Sequence, residues 1–251
     1  MQVKDTAAIV TGGASGLGAA TAATLIAQGA HVYALDLASA IDQAPGDERI
    51  TYLPTDVTDE EQVREAVRVA AETLPLRTVV NCAGIGPSAR ILGRKGVHDL
   101  ALYAKVVQVN LVGTFTVLAV AAEAIAQTEP LEHSQRGVVV NTASIAAFDG
   151  QIGQVAYASS KGGVVGMTLP AARDLAQHGI RVNTIAPGIV DTPMLATVSE
   201  EFRAGLAAGV PFPQRLATPE EYAQLVAMVI EHDYLNGETI RMDGALRMAP
   251  R

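Results

Sequence analysis

The chain has 251 residues, a formal net charge of −8, and hydrophobic residues at 49% of positions with only 4% aromatic. That length allows one large α/β domain or two small ones; composition favours the first, with a core built from Ala, Val, Ile and Leu, and the negative charge argues against nucleic acid or an anionic membrane surface as a broad partner. A single cysteine, Cys82, excludes an intrachain disulfide and suits a reducing, cytoplasmic setting.

Strand-like and helical stretches alternate along the whole chain. The strand at residues 7–10 follows the N-terminus at once, leaving no room for a signal peptide. It leads through the turn Thr11-Gly12-Gly13-Ala14-Ser15-Gly16-Leu17-Gly18 into a helix over 17–28. Strands follow at 31–35 and, after an irregular stretch, at 50–53. Thr58 reads as the N-cap of a helix to about 73, with Glu61 completing a capping box.

The fourth strand is predicted at 77–81, then a polar glycine-containing loop, then a long helix over 99–127. Its most apolar part, 111–122, is too short to span a bilayer. A strand at 137–142, a helix at 157–177 and a strand at 181–186 come next. Thr218 with Pro219 opens the last long helix, before a strand at 239–241. This alternation implies a single-domain α/β fold, a doubly wound, Rossmann-like parallel sheet with right-handed crossovers.

Two groups of residues carry chemistry. The glycines at 12, 16 and 18 depart from the G-x-G-x-x-G spacing, yet they serve the same end: a tight backbone turn that brings the free N–H groups of the next helix to a pyrophosphate. Asp36 ends the second strand, where a carboxylate either accepts hydrogen bonds from an adenosine ribose or is merely solvated. Its charge would repel a 2′-phosphate, and Ser15 and Leu37 nearby are uncharged, so the pattern favours NAD(H) over NADP(H). Asp56 and Val57 follow the third strand at the height of an adenine edge, and Asn81-Cys82-Ala83-Gly84 ends the fourth with small residues that let backbone pass close to a cofactor. Cys82 is read as a small buried side chain beside a ligand in preference to a nucleophile.

The second group is Tyr157 with Lys161 at i+4, one helix face, and Ser144 thirteen residues earlier. An ammonium beside the phenol favours phenolate. Ser144 can hold a substrate oxygen by a hydrogen bond. Gln151 and Gln154 can bind a thioester or amide oxygen, or serve only as loop hydrogen-bonders. The histidines show no metal-ligand spacing, so no metal is expected.

Together the T-G-x3-G-x-G turn, the N-x-A-G strand end, Asn110, Ser144, the Y-x3-K pair and Pro187-Gly188 with Thr192 resemble the short-chain dehydrogenase/reductase family over essentially the whole chain. The resemblance implies a seven-stranded parallel sheet, a homotetramer, and a catalytic set of Asn110, Ser144, Tyr157 and Lys161, with Asn110 positioning a water that links Lys161 to solvent. It implies that Gly12, Ser15, Gly16, Leu17, Gly18, Asp36, Asp56, Val57, Asn81, Cys82, Ala83, Gly84, Tyr157, Lys161, Pro187, Gly188, Val190 and Thr192 hold NAD. Ser144, Gln151, Gln154 and Tyr157 would meet the substrate.

A finer similarity, carried by Gln135–Ser144, Ser160–Pro170, Val210-Pro211-Phe212-Pro213 and the tail from Leu235 to Met248, points to members acting on 3-hydroxyacyl-CoA, with some tolerance for steroids and simple alcohols. Departures fall in the loops 87–97 and 190–208, including Val190 and Asp191. Arg90, Arg94 and Lys95 form a local basic cluster suited to CoA phosphates, with Lys105 and Arg203 as further candidates. The alternatives are a biosynthetic 3-oxoacyl thioester reductase, which would more usually prefer NADPH, a hydroxysteroid or secondary-alcohol dehydrogenase, and a noncatalytic NAD-binding scaffold, whose sign would be loss of Tyr157, Lys161 or Ser144.

Overall fold

The protein is described by a computed structural model covering residues 1–94, 96–195 and 199–250. The chain runs β1 (Ala7–Thr11), α1 (Gly16–Ala27), β2 (His31–Asp36), α2 (Ala38–Ile41), β3 (Ile50–Pro54), α3 (Glu60–Thr73), β4 (Leu76–Asn81), β5 (Leu92–Gly93), β6 (Gly96–Val97), α4 (Leu100–Val107) and α5 (Thr114–Ala126). It continues with β7 (Gly137–Thr142), α6 (Val155–Leu175), β8 (Ile180–Pro187), α7 (Glu200–Ala208), α8 (Pro219–Glu231) and β9 (Thr239–Met242). Seven strands form one parallel sheet in the order β3-β2-β1-β4-β7-β8-β9, and β5 with β6 makes a separate antiparallel hairpin.

The strands read as continuous apolar runs because both faces of the sheet are covered. Ile9, Val79, Val139 and Val182 join one core with Val63, Val117, Ala121 and Ile125 from α3 and α5. Their neighbours Val10, Val80 and Val140 point the other way, into a second core with Ala22, Leu25, Tyr222 and Val226 from α1 and α8. Between β3 and β4 the chain crosses from the sheet edge back to the strand beside β1. That reversal opens a crevice at the carboxyl ends of β1 and β4, the place where such sheets bind ligands.

The predicted strands are all present, and three details of the helices differ. The cap of α3 is Asp59, whose carboxylate accepts from the amides of Glu61 and Gln62 at 3.0 and 3.1 Å. Thr58 is drawn instead into the preceding turn, where its amide and hydroxyl both donate to Asp56. The predicted long helix is broken by a π turn at Gln108–Gly113 that contains Asn110. Counted through that turn, Leu100–Ala126 forms a 27-residue helical run long and apolar enough to cross a membrane, more than the 111–122 segment suggested, although Val106, Val117, Ala121 and Ile125 within it are fully buried in the fold. Elements α2, α7 and the β5–β6 hairpin lie in stretches read as irregular. Thr218 caps α8 ahead of Pro219 as expected, and Glu221 adds a capping box that was not predicted, each side chain accepting from the other's amide.

Candidate active site

The glycine turn between β1 and α1 is built by close backbone approaches that exclude a side chain. A Cβ at Gly18 would stand 2.1 Å from the carbonyl oxygen of Gly12, and one at Gly12 would stand 2.9 Å from the amide of Ala83 at the end of β4. Gly12 and Gly16 also have φ of +64° and +51°. The first turn of α1 has no side-chain cap and no acidic residue, so its N–H groups and the positive end of its dipole face the crevice. Thr11 ties the two strand ends together, its hydroxyl oxygen accepting from the amides of Cys82 and Ala83, both at 3.1 Å.

Asp36 stands at the tip of β2 with its carboxylate held by the amides of Ala14 at 3.0 Å and Leu37 at 2.8 Å. The charge is therefore fixed against the glycine turn. On the opposite side, Thr192 and Pro193 lie within 3.7 Å of the place a Gly16 Cβ would occupy, and Gly188 donates to Met242 at 2.9 Å. The cradle of glycines, uncapped amides and a fixed carboxylate fits a dinucleotide. Val57 is buried against Gly113, and Asp56 uses one carboxylate oxygen, Oδ1, to accept from the amide and hydroxyl of Thr58.

Ser144 follows β7 and caps the 3-10 turn Ile145–Ala147, its hydroxyl oxygen accepting from the amide of Ala146 at 3.1 Å while the hydroxyl itself faces Tyr157. Tyr157 and Lys161 lie in the first two turns of α6. The lysine is 4% exposed, its Nζ 5.9 Å from the Tyr157 ring centre. The ammonium donates to the main-chain carbonyl of Thr142 at 2.7 Å. Burial drives its pKa down to about 8. Burial also raises the phenol of Tyr157, with a hydrogen bond from Ser144 acting in the opposite sense.

Asn110, fully buried in the π turn, accepts from the amide of Ile85 and donates to its carbonyl, both at 2.8 Å, and donates to Ser160 at 3.0 Å. Its side chain thus clamps the loop that continues from Asn81-Cys82-Ala83-Gly84. Gly84 runs so close beneath that a Cβ there would lie 3.2 Å from Asn110 Oδ1 and 3.6 Å from Lys161 Nζ. The turn and the residue coincide, as π turns often mark functional positions.

A match to the short chain dehydrogenase family model spans residues 6–202. The chain belongs to the short-chain dehydrogenase family. This dehydrogenase is 49% identical to 3-hydroxyacyl-CoA dehydrogenase type-2 of Bos taurus over 99% of its own length and 97% of the relative's. The same identity holds for the protein of that name from Drosophila melanogaster, over 99% and 100%. A crystal structure of 3-hydroxyacyl-CoA dehydrogenase type-2 from Mycobacterium avium superposes with a TM-score of 0.93 at 44% identity, covering 100% of this chain and 99% of that one. The dehydrogenase is an oxidoreductase with a Rossmann-like sheet.

Other sequence-derived candidates in the dehydrogenase are engaged within the protein. Gln151 Nε2 donates to the carbonyl of Ala249 at 2.9 Å, and Gln154 Oε1 accepts from the amide of Gln151 at 3.0 Å. Arg203 pairs with Asp191 at 2.5 Å, which removes it as a free phosphate contact. Arg90 lines a groove beside residues 150–155, Arg94 sits in the hairpin turn, Lys105 is exposed on α4, and Lys95 lies outside the described residues. Thr142 was missed, because it serves through a carbonyl that any residue possesses. Cys82 is partly buried, contacts Thr142 and Tyr222, and has its thiol pKa raised by desolvation, which disfavours a nucleophile.

Proposed function

We propose that the dehydrogenase uses NAD(H) to interconvert a 3-hydroxyacyl-CoA and its 3-oxoacyl-CoA. The observation that carries the cofactor choice is Asp36: its carboxylate is held beside the glycine turn by the amides of Ala14 and Leu37, and a 2′-phosphate placed there would meet a like charge. The identity to 3-hydroxyacyl-CoA dehydrogenases over full length supports the thioester.

Bound nicotinamide supplies the hydride donor or acceptor. Tyr157 moves the proton: its raised pKa keeps it a phenol in the free enzyme, ready to protonate a carbonyl oxygen during reduction. In oxidation the phenolate must form; an ordinary tyrosine of pKa about 10 needs roughly 3 to 4 kcal/mol to ionise near pH 7 to 8, and the burial of Tyr157 adds to that requirement. Lys161 contributes as a buried ammonium close to the ring, and the cofactor's oxidised charge adds to it. Ser144, whose hydroxyl faces Tyr157, turns its hydroxyl proton to the substrate oxygen and fixes that oxygen's distance from Tyr157. Asn110 holds the Gly84–Ile85 loop under Lys161 and supports the proton route there.

A homotetramer fits the apolar groove between α5 and α6, where Phe115 and Leu169 are exposed, and light scattering tests it. Cytoplasmic residence is consistent with one partly buried, unpaired cysteine. The function itself is tested by absorbance at the NADH band with acetoacetyl-CoA, run beside NADPH and a simple ketone. Rapid oxidation of NADH with the thioester supports the assignment. Ketone reduction without thioester activity moves the enzyme to the alcohol or steroid dehydrogenases. Replacing Tyr157 by Phe should lower turnover by roughly 10²-fold or more while NADH still binds.

A further inference from the structure

The loop 148–154 joins Ser144 to Tyr157, the pair that must meet one substrate oxygen. It also forms one wall of a groove of about 450 Å³ whose other wall is residues 89–92. Apart from the turn in which Gln151 and Gln154 each accept from the other's amide at 3.0 Å, the loop has little structure of its own. It contains Gly150 and Gly153, the latter at φ +92°, and the amide of Ile152 faces no neighbour within the loop. Such a segment keeps its shape largely through partners elsewhere.

One end of the loop is held by residues 88–89, the amide of Ala89 donating to the carbonyl of Gly153 at 2.8 Å, and the other partners are supplied by the chain after β8. Arg241 Nη2 donates to Asp149 at 2.5 Å and to the carbonyl of Leu246 at 3.0 Å, while its Nε holds Asp243 at 2.7 Å. Its guanidinium also covers the Phe148 ring at 5.2 Å. Asp243 is bridged in turn by Arg247 at 3.0 Å. Leu246 packs into a small core with Ile145, the residue after the catalytic serine, and with Val210. Beyond it the carbonyl of Ala249 accepts from Gln151 Nε2 at 2.9 Å, and that of Pro250 from the amide of Ile152 at 3.0 Å. The same segment reaches the cofactor side, since a Cβ on Gly188 would touch Asp243 at 2.9 Å.

We propose that residues 241–250 brace the substrate loop 148–154, and that Gln151 and Arg241 are positioning residues acting through this brace and not substrate contacts. The geometry accounts for a glutamine in a substrate-facing loop whose amide donor is turned away to a main-chain carbonyl. The brace fixes the groove wall opposite residues 89–92, so it sets how tightly a carbonyl substrate is held more than the chemistry at Tyr157.

The inference rests on the carbonyl-reducing activity proposed above. The test uses a chain ended after Met248, which removes both terminal acceptors and leaves the loop sequence intact, together with Gln151→Met and the two combined. In the shortened chain KM for acetoacetyl-CoA should rise about fivefold while kcat changes less than about twofold, the split expected when substrate positioning is loosened. Amide exchange at Ile152 should quicken by about tenfold as its acceptor is lost. Gln151→Met should raise KM in the full chain and add nothing in the shortened one, because both act on the same contact.

An unchanged KM in the shortened chain overturns the brace. So does a Gln151→Met effect of equal size in both backgrounds, which would make Gln151 a substrate contact. If acetoacetyl-CoA is not reduced by the unaltered enzyme, the thioester reading fails by itself; the brace is then judged with the ketone that is turned over and by exchange at Ile152, which needs no substrate. Should the shortened chain not fold, Arg241→Gln decides: KM must rise and Ile152 exchange quicken, and failure of either overturns the proposal.

Discussion

Replacement of Asn110 by Leu keeps the branching and nearly the size of the side chain but removes its amide. Three hydrogen bonds are lost, to the amide and carbonyl of Ile85 and to Ser160. Ser160 still donates to the Tyr157 carbonyl at 2.8 Å, so its loss is small. The two polar groups of Ile85 are left facing a methyl-lined wall. At about 1–2 kcal/mol each for partly buried groups without a partner, the variant should unfold with about 2–4 kcal/mol less free energy. The effect also travels: Ile85 anchors the strand end Ala83-Gly84 that lies against Gly12, so NADH should bind about tenfold more weakly. Urea unfolding followed by circular dichroism gives the first quantity, and fluorescence titration with NADH the second. A stability loss below about 1 kcal/mol, with NADH affinity unaltered, would refute the view of Asn110 as the clamp of this loop.

Three other outcomes follow from the same contacts. Gly18→Ala places a methyl carbon 2.1 Å from the Gly12 carbonyl oxygen, so the turn must rearrange and NADH titration should show no saturable binding. Lys161 has a folded pKa of about 8 against its ordinary 10.5, so between those values the unfolded chain holds a proton that the folded chain has released. Its burial penalty, about 3 kcal/mol, is complete below pH 8 and fades by about pH 10.5. Thermal melts should therefore show the wild type gaining on Lys161→Met as pH rises through that window, and a constant gap would contradict the shift. Arg181→Met removes donors to the carbonyls of Val229, Ile230 and Leu235 and to Gln135, buried groups at the end of α8. Stability should drop by about 3–5 kcal/mol with kcat of the folded enzyme within about twofold, read from chemical denaturation beside steady-state rates.

The sequence alone determined the parts that depend on local pattern. Apolar runs at 7–10, 77–81 and 137–142 marked strands covered on both faces, and glycines at 12, 16 and 18 marked a turn that tolerates no side chain, because period and residue size act over a few neighbouring positions. Tyr157 and Lys161 were legible for the same reason, four residues apart on one helix. Tertiary structure alone decided where long-range partners fall. It put the Lys161 ammonium on the carbonyl of Thr142, nineteen residues away in sequence, and set Asn110 in a π turn against Ile85. It also passed the cap of α3 from Thr58 to Asp59, because Asp56 competes for the threonine, and turned Gln151 toward Ala249, ninety-eight residues on. Hydrogen bonds of this kind carry no periodic signature: a carbonyl accepts whatever its side chain, and which one is nearest is known only when the sheet and helices have packed.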